Sequence, residues 1–188
     1  MKDNALREPD ARPWISPRDD DISALAPAYL LVSCLAEVLE ETNDYFRHRA
    51  IVARYEEDCY YAGPDQALLP AKEEGIQGDR AVETGALRLL SHFPDHFFIP
   101  MELVTCGPTI ACLKWRFGPL WNPDAYWGID VAICRGSRIA AQQTLRSARS
   151  TRCLDIRGLR ARLNWRMRLA LDTARANGHT PAAQRSIS

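Results

Sequence analysis

YWGIDVAICRGSRIAAQQTL, residues 126–145, decides how the rest of the chain is read. Ile129, Val131 and Ile133 alternate with Gly128, Asp130, Ala132 and Cys134. That is the period of a strand whose two faces differ. Arg135-Gly136-Ser137 breaks the alternation, and a second run, 138–145, comes at once, so the stretch predicts two strands and a tight turn. Upstream, 96–105 and 109–117 have the same character and are joined by Gly107-Pro108. A longer loop, 118–125, carries Pro119, Trp121 and Pro123. Four strand-like runs in succession predict an antiparallel meander.

Outward from the meander toward the N-terminus the period changes to that of helices. Residues 23–42 place Leu31, Leu35, Val38 and Leu39 on one stripe. Asn43-Asp44 marks a break and a new cap, with a second helix over 45–57 on which Tyr45, His48, Val52 and Tyr55 share a face. Cys59-Tyr60-Tyr61 reads as a short strand ended by Gly63-Pro64, and 65–77 as a loop. A third helix starts at Gly78-Asp79 with Asp79 as its cap, buries Val82, Ala86, Leu89, Leu90 and Phe93, and stops at Pro94. Helices first and strands after predict α+β architecture: three helices packed on a curved, mainly antiparallel sheet.

Net charge is zero over the 188 residues, but the charges are segregated. From Arg146 onward there are ten Arg and two acids, Asp155 and Asp172, so the tail is +8 and the preceding body −8. In the tail, Ile156, Leu159, Leu163, Met167, Ala170 and Ala174 recur at helical spacing over 155–176, opposite the arginines. The chain therefore divides into an irregular arm with three prolines (1–22), an α+β domain (23–147) and an Arg-rich amphipathic helical extension (148–188). The longest apolar run, 24–36, is too short for a membrane span and lies after three aspartates rather than a basic leader, which predicts a cytoplasmic location. The six cysteines form no CxxC pair and read as reduced, mostly buried residues, not metal ligands. The arginine helix raises nucleic acid or an anionic membrane as a partner, but no RNP-type aromatic pair or zinc spacing accompanies it, so docking on the acidic body or on a partner subunit is the simpler expectation.

In order and spacing these pieces resemble the SnoaL-like polyketide cyclase branch of the NTF2-like α+β cone superfamily. The resemblance rests on ARYEEDCYYAGP (53–64), GDRAVETGALRLLSHFPD (78–95), TIACLKWRF (109–117) and GIDVAICRGSRIAAQQTL (128–145), and covers about two-thirds of the chain. It implies helices closing one side of a concave sheet around a blind pocket. It also implies acid–base chemistry on a small hydrophobic substrate (cyclisation, isomerisation, dehydration or epoxide hydrolysis) without metal or organic cofactor, and homodimers joined through the outer sheet face. Other members are non-catalytic binding or dimerisation modules, so fold alone does not decide function.

Asp130 is the leading catalytic candidate. Its neighbours are small and apolar, so its carboxylate loses hydration and its pKa rises toward the working range of a general base. The resemblance implies that the acid of Gly-x-Asp points into the pocket. The epoxide-hydrolase pattern needs an Arg where this chain has Gly128, which disfavours that activity. Tyr60 and Gln143 are the expected oxygen-polarising partners, although Tyr60 and Tyr61 alternate and only one can face the cone. For the substrate wall the sequence offers Trp115, Trp121, Tyr126 and Trp127, together with Phe98 and with Glu102, placed on Phe98's face by simple alternation. The bland readings stand beside these: a hydrogen-bonded structural Asp, a packed Tyr, and rings that serve core or interface.

Overall fold

The computed structural model describes residues 19–70, 76–147, 160–163 and 165–178. Most of the expected arm and the first residues of the terminal helix, together with Cys153, lie outside these. The chain begins with α1 (Asp19–Cys34), which runs into a π-helical turn, Leu35–Leu39. Leu31, Leu35, Val38 and Leu39 are all buried, as the stripe predicts.

Asn43 then caps α2 (Asp44–Arg54), its side chain accepting from the backbone N–H of Tyr45 and Phe46. This helix ends three residues before the expected 57, because Tyr55 is already extended and opens β1 (Tyr55–Ala62). Its buried face is also different. Arg47, Ala50 and Ile51 point inward while Tyr45, His48 and Val52 are exposed. Arg47 can be buried because its guanidinium bonds the Glu41 carbonyl at 2.9 Å and pairs with Asp44.

The expected loop contains a short α3 (Pro64–Leu68) and a two-residue β2 (Ile76–Gln77). It leads into α4 (Asp79–His92), whose N-cap is Gly78 at φ 93°, with Asp79 one place further in than the sequence implies. Ala81, Val82, Ala86 and Leu89 supply its buried stripe. Four long strands come next: β3 (His96–Cys106), β4 (Ile110–Pro119), β5 (Tyr126–Arg135) and β6 (Arg138–Arg146). The sheet order is β2-β1-β6-β5-β4-β3, with β1 parallel to β6 and every other pair antiparallel. The last described element is α5 (Trp165–Gly178).

The sheet separates two apolar layers. On its inner face, α1, the π turn, α2 and α4 pack against Tyr55, Tyr61, Phe98, Leu113, Trp115, Phe117 and Ala132. On its outer face, Met167 and Leu171 of α5, with Leu163 just ahead of it, pack against Ile110, Cys112, Ile129, Val131, Ile133 and Leu145. The amphipathic extension thus completes a second core by covering an apolar face that would otherwise meet water. Arg160 and Asp172 close an ion pair at 2.8 Å across it.

Two irregularities in the strands decide which side chains reach the inner face. The β3–β4 register slips between Pro100 and Glu102, making Met101 an extra residue. The β5–β6 register slips between Ile133 and Cys134, making Ala140 an extra residue on β6. Each bulge reverses which face the residues beyond it occupy.

Candidate functional site

Asp130 stands in the middle of β5 on the inner face, where the alternation places it, and is wholly buried. Thr144, directly across on β6, donates its hydroxyl to Oδ1 at 2.5 Å. Gln142 donates its amide to Oδ2 at 3.2 Å. The Gln142 carbonyl accepts from the Tyr55 phenol at 2.7 Å. Burial pushes the Cys34 thiol on α1 up to about 12. A chain of hydrogen bonds therefore runs from Tyr55 on β1 through Gln142 on β6 to the carboxylate.

Burial pushes the Asp130 carboxyl up from 3.8 to about 6, in spite of the opposing hydrogen bonds from Thr144 and Gln142. The Trp115 indole N–H sits near the carboxylate and also draws the value down, but it does not reach hydrogen-bond geometry. Trp115 lies flat on Gly128. A Cβ there would come within 2.1 Å of the indole ring, so glycine at this position is what admits the tryptophan to the inner face.

Tyr61 contributes a second group. Its hydroxyl is buried without a partner among the described residues, and it occupies the space a Cβ on Gly63 would need. Burial, then the charges of Asp65 and Asp130, raise its pKa well above 10. It stays a neutral phenol over the whole physiological range, able to donate one hydrogen bond. Asp65 pairs with Arg88 at 2.8 Å through one oxygen, and its other oxygen is buried without a partner among the described residues. Toward the end of the sheet where β3 starts and β4 ends, Phe93, His96, Phe98, Phe117 and Tyr126 form an aromatic cluster, with Phe98 stacked on Phe117 at 4.4 Å. Burial lowers the His96 pKa.

Of the expected site residues, Asp130, Trp115, Phe98 and Tyr126 share the inner face. The others do not. Tyr60 pairs with Ala141 and packs in the outer layer, so the inward tyrosine of the pair is Tyr61. Gln143 lies opposite Val131 on the outer face. Uninterrupted pairing from the Arg135–Arg138 turn would have set Gln143 against Asp130, but the Ala140 bulge moves Thr144 there and brings Gln142 inward. Glu102 pairs with Lys114 on the outer face because the Met101 bulge cancels simple alternation from Phe98. Trp127 is also outer, with the Lys114 ammonium 5.2 Å from its ring centroid. Trp121 is 84% exposed on the β4–β5 loop. Sequence reasoning missed Gln142, Tyr55 and Cys34. The Ala140 bulge turns Gln142 inward and the parallel β1–β6 register brings Tyr55 to it, while Cys34 comes from α1.

No family model and no curated protein matches the sequence. Solved structures do match it. A candidate isomerase of the SnoaL-like family from Agrobacterium tumefaciens superposes with a TM-score of 0.54 at 18% identity, over 68% of this chain and 99% of that one. A candidate SnoaL-like polyketide cyclase from Jannaschia sp. gives 0.53 at 7% identity, over 70% and 92%. A candidate polyketide cyclase from Acidithiobacillus ferrooxidans gives 0.50 at 16% identity, over 65% and 88%. The architecture is the NTF2-like α+β cone. At these identities the likeness is one of fold. No described helix is long and apolar enough to cross a membrane.

Proposed function

We propose that the chain is a cofactor-free acid–base enzyme, a cyclase, isomerase or dehydratase working on a hydrophobic, polycyclic or polyketide- or terpenoid-type intermediate. The observation that carries this reading is the buried carboxylate of Asp130, raised to about 6 and braced by Thr144 and Gln142. A carboxylate of that pKa is ionised at neutral pH yet basic enough to take a proton from carbon or oxygen. Tyr61 would hold the developing oxyanion, since its buried phenol keeps its proton and has no other acceptor among the described residues. Phe98, Phe117 and Tyr126, on the same face of the sheet, would offer a substrate rings to stack on. The likeness in fold to candidate isomerases and cyclases supports the class, and the choice of reaction rests on the side chains alone.

A second reading, a non-catalytic binding module, draws on the zero exposure of Asp130 and on the fact that both its oxygens already accept hydrogen bonds. One measurement separates the two: exchange of the α-protons of a cyclic aryl ketone such as β-tetralone in deuterated buffer, followed by NMR. Catalysis predicts acceleration by the protein, with a loss of about 100-fold or more in Asp130→Asn. It predicts a smaller loss, about tenfold, in Tyr61→Phe. Saturable binding of the ketone with no exchange above buffer assigns the cone to binding. Undiminished exchange in the Asn variant removes Asp130 from the chemistry.

A further inference from the structure

The outer face of the sheet holds a cavity of about 760 Å³ that has no part in the Asp130 site. It opens where α5 crosses the ends of β1, β5 and β6. That volume falls within the range of pockets that enclose a small organic molecule. Three elements build it, and each does so by a readable pattern.

On β1, Glu56, Asp58 and Tyr60 occupy alternate positions and so face it together. On α5, Trp165, Leu169 and Thr173 recur at a spacing of four and present one side of the helix to it. On the β5–β6 hairpin, Gly136, Ala140 and Ala141 supply walls with almost no side chain. Ala140 is the bulged residue, so the strand bends just where the room is left.

The walls have a definite chemistry. Tyr60 and Trp165 provide two ring faces, and Ile133, Ala170 and Leu169 provide aliphatic surface. Trp165 and Leu169 are 67% and 61% exposed, an apolar rim at the mouth of a cavity. The Arg166 guanidinium lies 5.8 Å from the Tyr60 ring centroid and 5.4 Å from that of Trp165, held between both. Arg135 is neutralised by Glu56 at 2.7 Å. Asp58 has no ion pair or hydrogen bond among the described residues, and it faces the cavity.

On the sheet side Glu56 and Asp58 stand against one arginine, Arg135, and Arg166 enters from the helix side. Cys59, next to Asp58, has its thiol pushed up to about 12 by burial and then by the charges of Asp79, Asp58 and Glu56. The uncompensated charge on the sheet side is therefore negative, while the hydrophobic surface is flat and aromatic.

The geometry points to a binding site for a small planar molecule carrying a protonated amine. Its ring system would lie against Trp165, Leu169 and the alanines of the hairpin, and its ammonium would sit on Asp58. The site lies on the opposite side of the sheet from Asp130, so it stands whether or not Asp130 is catalytic. Three properties define it: a cationic ligand, dependence on Asp58, and dependence on the empty space beside Ala140 and Ala170.

The test compares 2-naphthylmethylamine, 2-naphthylmethanol and 2-naphthoate, titrated into the full chain at low salt and followed by isothermal calorimetry. The amine is expected to bind about tenfold more tightly than the alcohol, and the naphthoate more weakly than either. Asp58→Asn should bring the amine to the level of the alcohol, about a tenfold loss, and leave the alcohol unchanged. Ala170→Phe fills the cavity from the helix side and should abolish binding of all three. Ala140→Leu fills it from the hairpin side, so a folding defect in one variant does not remove the test. The inference is overturned if the naphthoate binds most tightly, which would make Arg166 the recognising group. It is also overturned if the three ligands bind alike, if the filled variants bind as the native chain does, or if no heat develops up to the solubility limit.

Discussion

Replacing Asp130 by Asn removes one ionisable group from the interior and leaves its shape almost unchanged, which makes its energetic role measurable. In the folded chain the carboxyl titrates at about 6 against a reference of 3.8. The folded state therefore holds the proton more tightly than the unfolded state. The stabilising contribution of this proton is complete below about pH 4 and is lost as pH rises through 6. A difference of roughly two units at about 1.4 kcal/mol per unit comes to about 3 kcal/mol. No solvent screening reduces it, because the group is wholly buried.

The Asn variant has no such proton to lose. Its amide meets the donors of Thr144 and Gln142 with one oxygen fewer, an offset of about 1 kcal/mol that does not vary with pH. The difference in unfolding free energy, variant minus native, should thus rise by about 3 kcal/mol between pH 4 and pH 7 and then stay level. By pH 7 the variant should be the more stable of the two, by about 2 kcal/mol. Urea unfolding of both proteins at half-unit steps of pH gives this difference, and every other titrating group cancels in it. A flat difference across the window would refute the reasoning, because a carboxyl that titrates near its ordinary value contributes nothing there.

Gln142→Leu should destabilise the fold by about 2–3 kcal/mol, since Tyr55 and Asp130 each lose a buried partner, whereas Gln143→Leu should change it by less than about 1 kcal/mol; urea unfolding of the pair checks both the face assignment and the bulge. Met167→Ala on α5 should cost about 2–5 kcal/mol and increase binding of a hydrophobic dye, because its side chain sits fully buried against the outer face of the sheet. In a Cys153→Ser background, a water-soluble thiol reagent at pH 7.5 should modify Cys106 alone in the native state, since Cys34, Cys59, Cys112 and Cys134 are buried; labelling of all five without denaturant would contradict the packing.

Much of the architecture was legible in the chain because it depends on local period. Alternation located the four long strands to within one or two residues, and the 3.6-residue stripe of 31, 35, 38 and 39 located the first buried helix face. The position of Asp130 on the inner face comes from the same count, since no bulge separates it from Tyr126. The expectations that failed lie beyond a bulge or depend on a partner far along the chain. Gln143 and Glu102 were each placed by counting through a residue, Ala140 or Met101, that adds to the strand without advancing the ladder. Tyr60 and Tyr61 cannot be told apart by period, because both faces of β1 are partly covered. Arg47 took the inward place of an apolar residue only because the Glu41 carbonyl and Asp44 meet its guanidinium.

The sequence by itself determined the order of the main helices and strands, the two-faced pattern of β5 and the inward place of Leu163 and Met167, though not that of Leu171. These are short-range consequences of side-chain spacing and turn chemistry. The tertiary structure alone decided which polar groups surround the carboxylate: Thr144 across the ladder, Gln142 two residues away on β6, and Tyr55 from the parallel strand. It also decided that the outer face is covered by the chain's own last helix and that a cavity remains beneath it. The reason is that register and helix docking minimise the exposed apolar surface of the whole molecule, and a one-residue slip in a strand costs little locally while exchanging every side chain between the two faces.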